Sequence, residues 1–117
     1  MNDTVEIVQD KKANFLLVVL KGRLDITRAG DFEKEVLNHL TKNPSHVIIN
    51  LSRVTYLSSS GIRALLAVYR QALSHEKRAL LCEAPESVQK VLDVVEVGAM
   101  LSYFPREEEA RAALVEE

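Results

Sequence analysis

Cysteine is nearly absent from this chain, which has one in 117 residues, and tryptophan is missing altogether. A single cysteine, Cys82, excludes an internal disulfide and fits a reducing compartment. Long apolar runs are lacking too. The longest, Phe15 to Leu20, falls far short of the roughly 20 residues that span a bilayer, so no membrane insertion is expected. The N-terminus, Met1-Asn2-Asp3-Thr4, is polar and acidic where a signal peptide would be basic and then apolar. The expected location is the cytoplasm. Neither sign of charge dominates: 15 basic and 17 acidic residues leave a net charge of −2, too little positive field to attract a phosphate backbone. Nucleic acid is not an expected partner. The glycine-rich phosphate loops, the paired-histidine zinc motif and the nucleophile elbow of hydrolases are absent, which weakens enzymatic readings.

What is present is a globular composition, with 47% hydrophobic and 27% charged residues and a length that suits one domain over residues 1–117. Val5, Ile7 and Phe15 to Leu20 have strand character around a polar turn, and read as an opening hairpin. Ala29, Phe32, Val36 and Leu40 then recur at helical spacing, with Thr27 as the expected N-cap and Asn43-Pro44 as the stop. The β-branched run Val47 to Leu51 predicts a central strand covered on both faces. Ile62, Leu65, Leu66, Tyr69 and Leu73 predict a helix, and Ala79 to Cys82 a short strand. Pro85 opens another helix with Val88, Val91, Leu92 and Val95 on its buried face and Gly98 as its stop. Leu101 to Phe104 reads as a last short strand. The acidic Glu107-Glu108-Glu109 begins a final helix with Ala110, Ala113 and Leu114 facing inward. The fold class is α/β: a sandwich built on a mixed sheet with an opening hairpin and about four helices.

His39, His46 and His75 stand at no metal-ligand spacing, so neither a metal nor a cofactor is expected. Cys82 closes an apolar strand and is expected to act as a small hydrophobe. The run Ser58-Ser59-Ser60-Gly61 carries more information, because it lies between the apolar Val54 to Leu57 and the helical stripe from Ile62. One serine explains a helix cap; three are redundant. A helix N-terminus also favours an anion by roughly 0.3–2 kcal/mol, and a phosphate on one of these serines would sit there. Arg63, four residues beyond Ser59, is a first-turn cation that the helix dipole disfavours and an anionic neighbour would suit.

These residues resemble the STAS domain, the family shared by bacterial anti-sigma-factor antagonists and the cytoplasmic tails of sulfate transporters. Gly22-Arg23-Leu24-Asp25 resembles the family's G-x-L/I-D element, and Val47 through Leu66 resembles its run of strand, loop, D-S-S/T-G and helix. The resemblance implies no catalysis and a partner switch. In that switch a serine kinase of the anti-sigma class phosphorylates the first serine after the family's aspartate, and a PP2C-like phosphatase can reverse it. The family aspartate falls on Ser58, the phosphoacceptor on Ser59, the next serine or threonine on Ser60 and the glycine on Gly61; Asp25 matches the aspartate near the acceptor loop. The unphosphorylated form would bind the anti-sigma factor and free sigma. Two positions depart from the pattern: Ser58 replaces the acidic residue, and Asn50 stands where many members have aspartate.

Two other functions compete with this reading. One is a STAS scaffold that is never phosphorylated, a subunit of a signalling or membrane-transport assembly. The other is a small α/β enzyme or nucleotide-binding domain that holds a substrate phosphate at the serine loop.

Overall fold

The computed structural model describes residues 3–10, 14–94 and 98–115. Strands β1 (Thr4–Asp10) and β2 (Phe15–Leu24) form the antiparallel opening hairpin, with Ile7 opposite Val18. The turn residues Lys11, Lys12 and Ala13 lie outside the described residues. Helix α1 (Ile26–Lys42) then returns the chain to β3 (His46–Leu57), which lies parallel to β2. Helix α2 (Ser59–Ser74) leads to β4 (Ala79–Cys82), parallel to β3 on its other side. Helix α3 (Glu86–Val94) and the single turn α4 (Gly98–Leu101) precede β5 (Tyr103–Phe104), and α5 (Glu107–Val115) follows. The sheet runs β1-β2-β3-β4-β5, with β3 at its centre as its apolar run predicts.

Alternation along the strands divides the core into two layers. Leu16, Val18, Val47, Ile49, Leu51, Ala79 and Leu81 face one side, where they pack with Phe32, Val36 and Leu40 of α1, Leu65 and Val68 of α2, and Val88 and Leu92 of α3. Phe15, Ile48, Leu80 and Cys82 face the other, under Ala110 and Leu114 of α5. All four residues of the predicted α1 stripe are buried, and each large one contributes about 1.5–3 kcal/mol relative to exposure.

Five local expectations are corrected. The α1 cap is Asp25, whose side chain accepts from the Thr27 amide, so Thr27 is already inside the helix. The inward face of α2 runs Gly61, Ile62, Ala64, Leu65, Val68 and Ala72, while Leu73 is 56% exposed. The small side chains of that face allow α2 to approach the sheet and α1 closely. Gly98 opens the turn α4 where a helix stop was expected, Val95 lies outside the described residues, and Leu101 belongs to α4, which leaves β5 two residues long. Strand β3 also runs six residues past Leu51, to Leu57, which carries it to the edge of the serine run.

Candidate functional site

Because β2 and β3 are parallel neighbours, they leave the sheet at the same end, and α1 and α2 start side by side there. Leu24 lies opposite Leu57 in the register. The Leu24 carbonyl accepts from the Ser58 amide at 3.1 Å and faces the Ser58 hydroxyl at 3.3 Å, joining the two strand exits. Gly22-Arg23-Leu24-Asp25 shapes this corner residue by residue. Gly22 takes a φ of +92° beside a register shift in the β2–β3 ladder, with the Asp3 side chain packed against it where a Cβ would stand. The shift brings Arg23 opposite Tyr56. Leu24 is buried, and Asp25 caps α1.

Ser58 has extended backbone (φ −93°, ψ 173°), and its hydroxyl accepts from the Gly61 amide at 3.2 Å; it is the N-cap of α2. A family aspartate here would do the same work, since both residues rank high as caps. The substitution therefore keeps the helix start and removes a negative charge. Ser59 is the first helical residue and is exposed; Ser60 is half-buried. Of the three serines, Ser59 alone is both exposed and free of a capping task. Gly61 has a steric role: a Cβ there would stand 2.5 Å from the Leu24 carbonyl oxygen and 2.8 Å from Leu57 Cδ1, so only glycine lets the first turn of α2 press against the end of β2.

Asp25 uses both carboxylate oxygens within the fold. Oδ1 accepts from the Thr27 amide at 3.0 Å and the Thr27 hydroxyl at 2.6 Å, and Oδ2 lies 3.3 Å from Arg23 Nε. The Thr27 hydroxyl, followed by Arg23, holds this carboxyl below the usual carboxylate range against a modest desolvation cost, so it is ionised at neutral pH. Arg23 also stacks over the Tyr56 ring at 4.6 Å. Arg63 is exposed on α2, one turn beyond Ser59. Arg23 joins the same end of the sheet from β2, beside the residues that lead into Ser58. The parallel order of β2 and β3 was the signal for that: it places the residues just before α1 beside those just before α2.

Asn50 has no part in this corner. It is 8% exposed on the α5 side of the sheet, donates to Glu107 Oε1 at 2.9 Å and accepts from the Ser52 amide at 2.9 Å. Glu107 in turn holds Arg111 at 2.9 Å, and its amide donates to Glu83 at 2.9 Å, so this network fastens α5 to the sheet. Cys82 is buried close by, and desolvation first, then Glu107 and Glu83, push its thiol up to about 12, which leaves it inert. Among the described residues, no group of three His, Cys, Asp or Glu could hold a metal ion, and no helix is long and apolar enough to cross a membrane.

The model of the STAS domain matches residues 6–110. The chain belongs to the STAS-domain family. This family is not known for enzymatic activity. BtrV of Bordetella bronchiseptica, by its name a candidate anti-sigma factor antagonist, is 30% identical over 101 residues, which cover 86% of this chain and 84% of that protein. Among solved structures, an anti-sigma factor antagonist from Mycobacterium paratuberculosis superposes with a TM-score of 0.85 at 18% identity, over 97% of this chain and 94% of that one. SpoIIAA of Bacillus, a cell fate determinant in its phosphorylated form, superposes with a TM-score of 0.72 at 19% identity, over 95% and 99%. These two likenesses establish the shared fold.

Proposed function

We propose that this chain is an anti-sigma-factor antagonist, a cytoplasmic partner switch that acts by binding and has no catalytic step of its own. Residues 1–117 work as one unit in this reading. The unmodified form binds an anti-sigma factor that is also a serine kinase, and so releases a sigma factor. Phosphate on Ser59 ends the binding, and a PP2C-like phosphatase restores it. The observation that carries the reading is the division of labour in the serine run: Ser58 is committed to the cap, while the Ser59 hydroxyl stands exposed at the positive end of α2. A relative named for this role, matched over most of its length, supports it.

The chemistry of the corner fits a phosphate. A phosphoserine carries about −1.5 to −2 charge at pH 7, and a helix N-terminus stabilises an anion by roughly 0.3–2 kcal/mol. With Ser58 in place of aspartate, that phosphate meets no carboxylate at the preceding residue, and Arg63 lies one helical turn away. The same added charge alters the surface a partner must dock on.

Incubation of the chain with the anti-sigma-class serine kinase of its own source and ATP tests the reading. Intact mass should rise by one phosphate, and fragmentation should place it on Ser59. Modification of Ser58 or Ser60 with Ser59 untouched would overturn the site assignment. No mass shift, together with kinase binding that persists in Ser59→Asp, would favour the unphosphorylated scaffold.

A further inference from the structure

Helix α1 starts with a side chain that the fold leaves unused. Ile26 is 78% exposed in the first turn, directly after the Asp25 cap, where a β-branched apolar residue adds neither capping nor burial. Tyr56, 45% exposed, is the next large apolar surface at this end, and Arg23 links the two sites by stacking on Tyr56 and pairing with Asp25. Exposed apolar groups beside a helix start gain only by being covered, and aromatic residues and arginine are the side chains that most often carry binding energy in protein interfaces.

Charge limits what can cover them. Neither α1 nor α2 has an acidic residue in its first turn, and while the Asp25 carboxylate caps α1, α2 is capped by the neutral Ser58 hydroxyl, so one uncompensated positive helix end stands at this corner. Arg23 and Arg63 add two cations. Asp3 is engaged with Arg28, whose Nη1 donates to the Asp3 carbonyl at 2.6 Å and lies 3.9 Å from its carboxylate, and Asp25 is consumed by its cap and by Arg23. In a chain of net charge −2, this end is locally positive.

We infer that Ile26 is the apolar anchor of the partner interface, with Tyr56 and Arg23 beside it, and that the partner offers a hydrophobic pocket rimmed by carboxylates. The inference rests on the switch reading and supplies its sign. A carboxylate rim is attracted to this corner while Ser59 is free and repelled once Ser59 carries phosphate.

The test measures affinity of the anti-sigma-class serine kinase for the full chain and its variants by titration calorimetry, with melting curves to confirm each fold. Ile26→Ser should weaken binding by about 10–100-fold, the range expected for losing one buried aliphatic anchor. Ile26→Leu should stay within about threefold, and Val115→Ser, at an equally exposed apolar residue of α5, should change nothing. Ile26→Glu should lose more than Ile26→Lys, and wild-type affinity should fall with rising salt. Wild-type binding that is lost in Ser59→Asp but kept within about twofold in Ile26→Ser leaves the switch intact and overturns the anchor. Glu tolerated as well as Lys at position 26 overturns the carboxylate rim. A wild-type chain that does not bind the kinase at all overturns the switch reading, and the anchor with it.

Discussion

Helices α1 and α2 begin next to each other with no acidic residue in their first turns, whereas α3 begins with Glu86 and α5 with Glu107, Glu108 and Glu109. At α5 the positive helix end is answered from within. The Glu109 carboxylate accepts from the Arg106 amide at 3.1 Å, Glu83 accepts from the Glu107 amide, and Glu107 ties Asn50 and Arg111 together. At α2 the cap is a neutral hydroxyl, and the residue after it is an exposed serine. One end of the molecule spends its carboxylates on stability. At the other end Asp25 answers α1 but no carboxylate answers α2, and that is where the proposed switch would place its phosphate.

The strongest way to break the comparison is steric. Gly61→Ala forces a methyl group against the Leu24 carbonyl and Leu57, and is expected to cost about 1–3 kcal/mol in chemical denaturation. Gly30→Ala, in α1, meets no atom within 4 Å and should stabilise by up to about 1 kcal/mol. Equal effects at the two glycines would show that the corner is not tightly packed.

The α5 end is tested by Asn50→Asp. A carboxylate would replace the amide that donates to Glu107 Oε1, setting two negative groups in contact in a nearly buried place. A loss of about 1–3 kcal/mol is expected at pH 7. Stability should recover partly as pH falls, because protonating either carboxyl restores a donor.

Smaller effects separate the capping residues. Ser58→Ala should cost about 1 kcal/mol through loss of the Gly61 amide's partner, while Ser59→Ala should stay within about 0.5 kcal/mol. Reversal of that order would make Ser59 the structural serine. For Asp25 the folded carboxyl lies below its ordinary value, so its contribution is present above the unfolded value and is lost as pH falls through the folded one. Asp25→Asn keeps a capping oxygen but not the charge, so it should lose the charge-dependent part at pH 7 and flatten the acid limb, the two stability profiles converging as pH falls below about 4.

Much of this architecture was legible in the residues. The α1 stripe, the central β-branched strand and the serine run at a helix start each rest on a pattern that tertiary packing had no reason to override. The misses have local causes. Asp25 and Thr27 are both good caps two residues apart, and the choice depended on β2 ending at Leu24, which follows from its pairing with Leu57 across the sheet. The inner face of α2 hides in Ala64, Val68 and Ala72, because periodicity weighted by residue size favours Leu73, which points outward. The placement of Arg23 beside Tyr56, at the strand end that leads into the serine run, went unrecognised, since it arises from parallel pairing and not from spacing along the chain. The redundancy of the three serines was visible, but which of them caps was a matter of geometry.

The proposed switch makes the α1–α2 corner a charge-gated docking surface with Ser59 as its gate. It is tested most directly by titrating the anti-sigma-class kinase, without ATP, into the unmodified chain and into chain stoichiometrically phosphorylated on Ser59. Saturable binding to the unmodified form is expected, with a loss of at least about 100-fold, equivalent to about 2.7 kcal/mol, in the phosphorylated form. Equal affinity for the two forms would contradict it.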